Sequence, residues 1–266
     1  MVDSKDEIRE EIMKNYSQVA KGENTGCCNS GGCCSENSDN LDVIKVGEKL
    51  GYFKEDLESD FIEANQGLGC GNPKAIANLN QGQTVLDLGC GAGFDVFLAA
   101  REVGSKGRVI GVDMTPEMIN KARKNAKKND FTHVDFRLGE IEHLPVADNS
   151  VDVVISNCVI NLSVDKEAVF NEISRVLKPG GTLAISDVLR KDEFPEEVKN
   201  NIGNYSSCIA GALSLEKLRK ILEKTDLENI KIIKKDNSKE IVKDWSSEIN
   251  TESFIFSAYI TAQKPQ

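Results

Sequence analysis

Three cysteines stand apart in the chain, each among small residues. They are Cys70 in Gly-Leu-Gly-Cys-Gly, Cys158 in Ser-Asn-Cys-Val-Ile-Asn and Cys208 in Ser-Ser-Cys-Ile-Ala-Gly-Ala. Two of them follow segments that read as parallel-sheet elements of a nucleotide-cofactor fold. Thiolates converging on a cofactor pocket would ligate a soft, thiophilic substrate. Taken singly, each is as well explained as a small buried apolar residue, so the chemistry depends on convergence. Four further cysteines form two vicinal pairs, Cys27-Cys28 and Cys33-Cys34, and the eighth is Cys90. Only two histidines, His133 and His143, are present, which sets aside a histidine-rich metal site.

Composition narrows the setting. The chain has 266 residues, 39% of them hydrophobic, enough for a substantial core and one or two domains. Its net charge of −10 repels phosphate backbones and anionic lipid, so neither nucleic acid nor a membrane surface is an expected partner. The opening Met-Val-Asp-Ser-Lys-Asp-Glu lacks the apolar stretch of a signal peptide, and no run nears the roughly 18 apolar residues of a membrane span. A cytoplasmic protein is expected. In that reducing setting clustered cysteines bind metals or do redox chemistry more often than they form staples.

The elements that must position the cysteines follow from periodicity. Ile8, Ile12, Tyr16 and Val19 share one helical face over residues 5–20. Residues 22–40 are rich in turn formers and read as a loop or mobile tail, and 41–80 as mixed and partly helical. Strands are predicted at 84–88, 108–113, 134–138, 151–156 and 182–186. Helices are predicted at 94–103, at 115 to about 128 with Thr115-Pro116 as cap and first turn, and at 165–177. Lys178-Pro-Gly-Gly181 is expected to stop the last of these. Strand and helix alternate five times, which predicts an α/β, doubly wound sheet. Residues 193–222 are then expected to be mainly helical with Ser214 as a cap. Segments 226–234 and 251–263 read as two strands around a polar excursion.

Gly89, Gly91 and Gly93 fall between the first strand and its helix, where glycine lets backbone turn and approach a ligand. Asp113 ends the next strand, where a carboxylate can accept hydrogen bonds from ribose hydroxyls. A dinucleotide loop wants a third glycine further on, but positions 94 and 96 are Phe and Val. The Gly-x-Gly-x-Gly form, with Gly139-Glu140-Ile141, Asp152–Ser156 and Leu177–Gly181, resembles the class I S-adenosylmethionine-dependent methyltransferases over about residues 70–190. That resemblance implies a Rossmann-like, mostly parallel seven-stranded sheet. It implies a cofactor site of Asp87, Gly89, Cys90, Gly91, Gly93, Phe94, Asp113, Met114, Glu140, Ile141 and Asn157, with Glu140 and Ile141 bordering the adenine and Asn157 beside the methionine end. Cys90 is a small residue by geometry.

Four segments together carry a narrower resemblance: Gly-Leu-Gly-Cys-Gly-Asn-Pro, Gly-Val-Asp-Met-Thr-Pro-Glu-Met, Ser-Asn-Cys-Val-Ile-Asn-Leu and Cys-Ile-Ala-Gly-Ala-Leu. From about residue 47 onward the chain resembles the arsenite S-adenosylmethionine methyltransferases. The resemblance implies that Cys70, Cys158 and Cys208 bind As(III), the substrate being arsenite or its thiol conjugates. Cys158 and Cys208 would face the methyl group, with Cys70 as third sulfur or redox partner. A disulfide formed in the cycle would be reduced by thioredoxin or glutathione. The implied organisation is an N-terminal helix and cysteine-rich segment (1–46), a cofactor domain (47–190) and a helical and strand extension that completes the arsenic site (191–266). Some family members carry a single N-terminal cysteine in the thiol cascade. Cys27, Cys28, Cys33 and Cys34 read equally as an auxiliary thiol donor or arsenic site, or as a tail of little consequence. His133 and His143 are expected at surface turns, and Trp245 against the core. Two rival readings are a methyltransferase for an organic acceptor and a thiolate metalloid-binding or zinc-binding protein without turnover.

Overall fold

Short apolar runs, buried on both faces, build the centre of the sheet. In β1 (Thr84–Leu88), Val85 packs into one layer and Leu86 and Leu88 into the other. β1 pairs in parallel with β2 (Arg108–Asp113) and β4 (Val151–Asn157); β3 (Val134–Leu138) pairs with β2, and β5 (Leu177–Arg190) with β4. A two-residue strand, β6 (Leu213–Ser214), pairs with β5. Two antiparallel strands, β7 (Glu228–Lys234) and β8 (Ile255–Gln263), complete the order β3-β2-β1-β4-β5-β8-β7. The path has the expected seven strands, with β6 as a short addition. This computed structural model describes residues 5–23, 40–195, 198, 205, 208–243, 245 and 250–266. Cys27, Cys28, Cys33 and Cys34 lie outside the described residues.

Helices cover both faces. In chain order they are α1 (Lys5–Lys21), α2 (Asn40–Leu50), α3 (Lys54–Leu57), α4 (Lys74–Ala77), α5 (Phe94–Val103), α6 (Pro116–Lys128), α7 (Lys166–Val176), α8 (Leu215–Leu222), α9 (Ser238–Val242) and α10 (Thr251–Phe254). The periodic Ile8, Ile12 and Val19 of α1 are buried, and the helix is tied to α6, where Ser17 Oγ donates to Glu117 at 2.9 Å. α7 starts at Asp165, whose carboxylate accepts from the Ala168 N–H at 3.1 Å. Ser214 caps α8, accepting from Lys217 at 3.2 Å.

Several boundaries differ from expectation. The Lys178–Gly181 turn formers lie within β5, which begins at Leu177 and runs to Arg190 rather than spanning 182–186. A register shift between Val151 and Val153 absorbs Pro179, and the Gly180 N–H bonds to the carbonyls of Lys264 and Pro265. Thr115 makes no side-chain cap; the Asp113 carboxylate accepts the Thr115 N–H instead. Leu213, within the stretch expected to be mainly helical, is extended because Leu213–Ser214 pairs with β5, while Ser214 is the helix cap as expected. Residues 251–254 form a helical turn before β8, and the polar excursion holds α9.

Candidate functional site

A cavity of about 300 Å³ opens at the carboxyl ends of β1, β2 and β4. Strand ends are where an open α/β sheet leaves a crevice. At one end lies the glycine loop. Gly91 has φ +52 and a Cβ there would meet nothing within 4 Å, so its backbone faces open space. Gly89 is needed for packing instead, since a Cβ would stand 2.4 Å from Val159. Asp113 Oδ2 accepts the Gly91 N–H at 2.9 Å and Oδ1 the Thr115 N–H at 2.8 Å, which fixes the carboxylate at the cavity wall. Burial raises its pKa, while these two N–H bonds pull it back.

Two more carboxylates lie beneath the loop. Burial and the charges of Asp95 and Asp113 push Asp87 well above the usual carboxylate range. Burial also lifts Asp95, to about 6, against hydrogen bonds from the Tyr52 hydroxyl at 2.8 Å and Asn157 Nδ2 at 3.2 Å. Asn157 ties this end to the sulfur end. Its amide donates to the Tyr52 hydroxyl at 2.9 Å and the Gly71 carbonyl at 2.7 Å, and its Oδ1 accepts the Cys70 N–H at 3.0 Å. Gly69 permits this approach, because a Cβ would lie 2.8 Å from the Asn157 amide.

At the other end, the three scattered cysteines come together. The Cys208 thiol donates to the Cys158 carbonyl at 3.0 Å, and the Cys70 thiol to the Ser186 carbonyl at 3.3 Å. The Cys208 and Cys70 thiols against Cys158, with burial added, raise the Cys158 thiol well above its usual range. Cys208 is pulled down by Cys158, but burial and the Asp187 charge outweigh this and raise it. Both Cys158 (φ +58) and Cys208 (φ +61) have left-handed backbone, which costs a non-glycine residue on the order of 1–3 kcal/mol. Gly211 lets the 208–212 turn dock, since a Cβ would fall 1.9 Å from the Asn161 carbonyl. Cys158 and Cys208 line the cavity; Cys70, fully buried, lies behind them.

Polar groups surround the sulfurs. Lys235 Nζ donates to the Cys70 carbonyl and to Ser186 Oγ, both at 2.7 Å, and lies 4.1 Å from the Tyr259 ring centre. Ser257 Oγ donates to the same Cys70 carbonyl at 2.8 Å. Burial lowers the Lys235 pKa and brings Lys166 down to about 8, with the Asp187 charge opposing in both cases. Burial raises Asp187 to about 6, and a carboxylate oxygen of Asp187 lies within 4.8 Å of both the Cys70 and Cys158 sulfurs.

The residues singled out in the sequence do not all reach the cavity. Asp87, Gly89, Cys90, Gly91, Phe94, Asp113, Met114, Ile141, Asn157, Cys158 and Cys208 line it. Gly93 does not; the direction of its missing side chain points at Phe97 and Phe136. Glu140 also stays outside, half-exposed and 3.9 Å from Arg9, while the buried Glu142 lines the wall and accepts from Ser163 at 2.6 Å. Cys90 packs toward Gly111, where a Cβ would sit 2.8 Å from its sulfur. His133 hydrogen-bonds the Ala100 carbonyl at 3.0 Å. Trp245, expected only to pack the extension, shares the cavity wall with Val43, Val46 and Ile241. Arg9, Ile12 and Tyr16 of α1 also line it, a contribution that no motif announced.

Residues 79–244 match a family described as a methyltransferase domain. An arsenite methyltransferase from Halobacterium salinarum is 48% identical over 98% of the chain and 67% of its own length. The human arsenite methyltransferase is 34% identical over 82% of the chain, which spans 57% of that relative. Among solved structures, an arsenic(III) S-adenosylmethionine methyltransferase from Chlamydomonas reinhardtii superposes with TM-score 0.58 at 32% identity, covering 84% of this chain and 73% of that one. A phosphoethanolamine N-methyltransferase from Haemonchus contortus, at 20% identity and TM-score 0.64, shares the fold.

Proposed function

The chain belongs to the arsenite methyltransferase family, and from that premise we propose that it methylates trivalent arsenic held by cysteine thiols, with S-adenosylmethionine as methyl donor. The observation that carries the reading is the meeting of Cys158 and Cys208 at one end of a cavity whose other end is the glycine loop and Asp113. Its residues suit the donor. Gly91 leaves open space above its backbone, Asp113 stands with both oxygens oriented by N–H groups, and Ile141 offers an apolar wall. In the proposed assignment Asp113 accepts from ribose hydroxyls, Asn157 stands beside the methionine end, and Met114 and Ile141 border the adenine. When bound, S-adenosylmethionine supplies an electrophilic methyl on a sulfonium sulfur.

The protein's own groups then hold the substrate. As(III) is soft and takes sulfur in preference to oxygen or nitrogen. The raised thiol pKa values are no obstacle to binding, because each thiol proton leaves as water with a hydroxide of arsenous acid. Cys158 and Cys208, at the cavity wall, hold arsenic with its lone pair toward the donor, and no general base is required. Methylation formally oxidises arsenic to As(V). In this reading Cys70, whose thiol meets that of Cys158, returns two electrons by forming a disulfide, which thioredoxin or glutathione would reduce. We read residues 47–190 as the donor-binding domain, with 1–46 and 191–266 as extensions that close the cavity and complete the sulfur site. No helix among the described residues is long and apolar enough to cross a membrane.

The test incubates the protein with labelled S-adenosylmethionine, arsenite and a thiol reductant, and separates the arsenic species. Labelled methylarsenicals are expected. Binding of arsenite without any methylated product would instead point to a sequestering protein, and turnover only with organic acceptors would break the arsenic reading.

A further inference from the structure

One buried polar group beside the thiols has no task in the reaction outlined above. Asp187 follows Ser186 in the apolar run of β5 and is 3% exposed. Its Oδ1 accepts from Asn161 Nδ2 at 2.8 Å and from the Val188 N–H at 2.7 Å. Its Oδ2 is buried and accepts no hydrogen bond of ordinary geometry, while the Ile160 and Asn161 backbone N–H groups lie close enough to the carboxylate to lower its pKa. The nearby Lys166 ammonium donates to the Ser163 carbonyl at 2.7 Å instead, and among the described residues no cation lies within ion-pair distance of Asp187. Buried carboxylate oxygens are normally satisfied, and one left open inside a site points to a ligand that brings a donor.

The position says which donor. A carboxylate oxygen of Asp187 and the sulfurs of Cys70 and Cys158 lie within 4.8 Å of one another, so Asp187 stands on the Cys70 side of Cys158. Arsenic bridging Cys158 and Cys208 would keep one coordination position. We propose that Asp187 Oδ2 accepts a hydrogen bond from the hydroxyl that a trivalent arsenical retains when two of its bonds are to cysteine sulfur. The pocket is then a two-sulfur, one-oxygen site for the inorganic acid. This inference rests on the arsenic reading of the same site. The binding step balances without oxidant or base: arsenous acid and two thiols give a dithiolate with one As–OH, and two waters leave carrying two thiol protons and two hydroxides.

The consequence is a difference between substrates. Methylarsonous acid has only two hydroxyls, and both leave when two thiols bind. Bound that way it has nothing to offer Asp187. The residue therefore serves the inorganic acid and is idle for the monomethyl one.

Equilibrium dialysis with arsenite and with methylarsonous acid, in a phosphine reductant and without methyl donor, reads this directly. Asp187→Ala is expected to weaken arsenite binding about tenfold and to leave methylarsonous acid within about twofold of wild type. Asp187→Asn keeps an oxygen for Asn161 and Val188 but turns an amide toward the site, and its ratio is expected to fall between. Thermal melting and S-adenosylhomocysteine binding check the fold; if Asp187→Ala does not fold, the Asp187→Asn ratio decides. Equal loss for both arsenicals, or loss for neither, overturns the proposal. If the wild type binds arsenite but makes no methylated product, the activity reading fails while the dialysis ratio still tests the subsite. If it binds neither arsenical, both readings fall.

Discussion

At the glycine-loop end of the cavity, the loop, its carboxylates and the helix behind it lie between Asp87 and Asp113, on one strand-loop-helix-strand unit. At the sulfur end, the thiols come from positions 70, 158 and 208, and the groups that hold Cys70 come from Asn157, Lys235 and Ser257. The first end is shaped by local backbone geometry. The second is shaped by fits between segments far apart in the chain, with glycines at the points of closest approach. Two ends built on such different principles should be separable by substitution.

The largest expected effect is a double dissociation. Cys158→Ser or Cys208→Ser is expected to lower arsenite methylation by about a hundredfold or more, with S-adenosylmethionine binding by calorimetry little changed. Asp113→Ala is expected to do the reverse, weakening the donor at least about tenfold while arsenite binding by dialysis persists. Full arsenite turnover in both cysteine variants would dissolve the distinction between the ends.

A smaller effect is expected from Gly211→Ala, which touches neither ligand. Its Cβ would meet a backbone carbonyl that cannot swing away, so the Cys208 turn must shift, at a cost of about 1–3 kcal/mol. Arsenite affinity should fall about tenfold with donor affinity unchanged. Unchanged arsenite affinity would mean that the sulfur end is more tolerant than its packing indicates.

The smallest effect concerns pH and the loop end. The Asp95 pKa is raised by burial from 3.8 to about 6. A buried acid of this kind binds its proton more tightly when folded, so its contribution to stability is present below about pH 4 and is lost as pH rises through about 6. Asp95→Asn removes that loss. The thermal midpoint of the variant relative to wild type should therefore be higher near pH 7 than near pH 4, and a pH-independent difference would show that Asp95 titrates normally.

What was legible in the sequence follows the same division. β1, the glycine loop, α5 and Asp113 were readable because strand periodicity, turn residues and the acidic residue are neighbours in the chain. Cys158 was readable as lying beyond the end of β4. Its junction with Cys70 and Cys208 came from family resemblance, because nothing local in Gly-Leu-Gly-Cys-Gly says which strand it will meet. Nothing in the Lys234-Lys235 pair marks the second lysine as buried; the pairing of β7 with β8 turns it inward. Asp187 carried a signal that went unused, a single acid inside the run Ile185-Ser-Asp-Val-Leu189. Glu140 was expected at the adenine, yet it is Glu142, in the turn that follows β3, that lines the wall. The Lys178–Gly181 turn formers misled because the strand pairing and the Lys264 and Pro265 carbonyls outweigh their local preference.

The late position of β8 has a consequence for how the molecule comes into being. The parallel strands β1 to β5, with the glycine loop and Asp113, are complete before residues 255–263 are synthesised. Domains begin to fold as the chain emerges, and contacts between distant residues form slowly. Lys235 and Ser257, which hold the Cys70 carbonyl, are made after those strands. A chain that folds as it emerges from the ribosome therefore passes through a stage with a nearly finished glycine-loop end and unassembled thiols. Those thiols are most open to stray metals and oxidants at that stage, and the closing of β8 against β5 ends it.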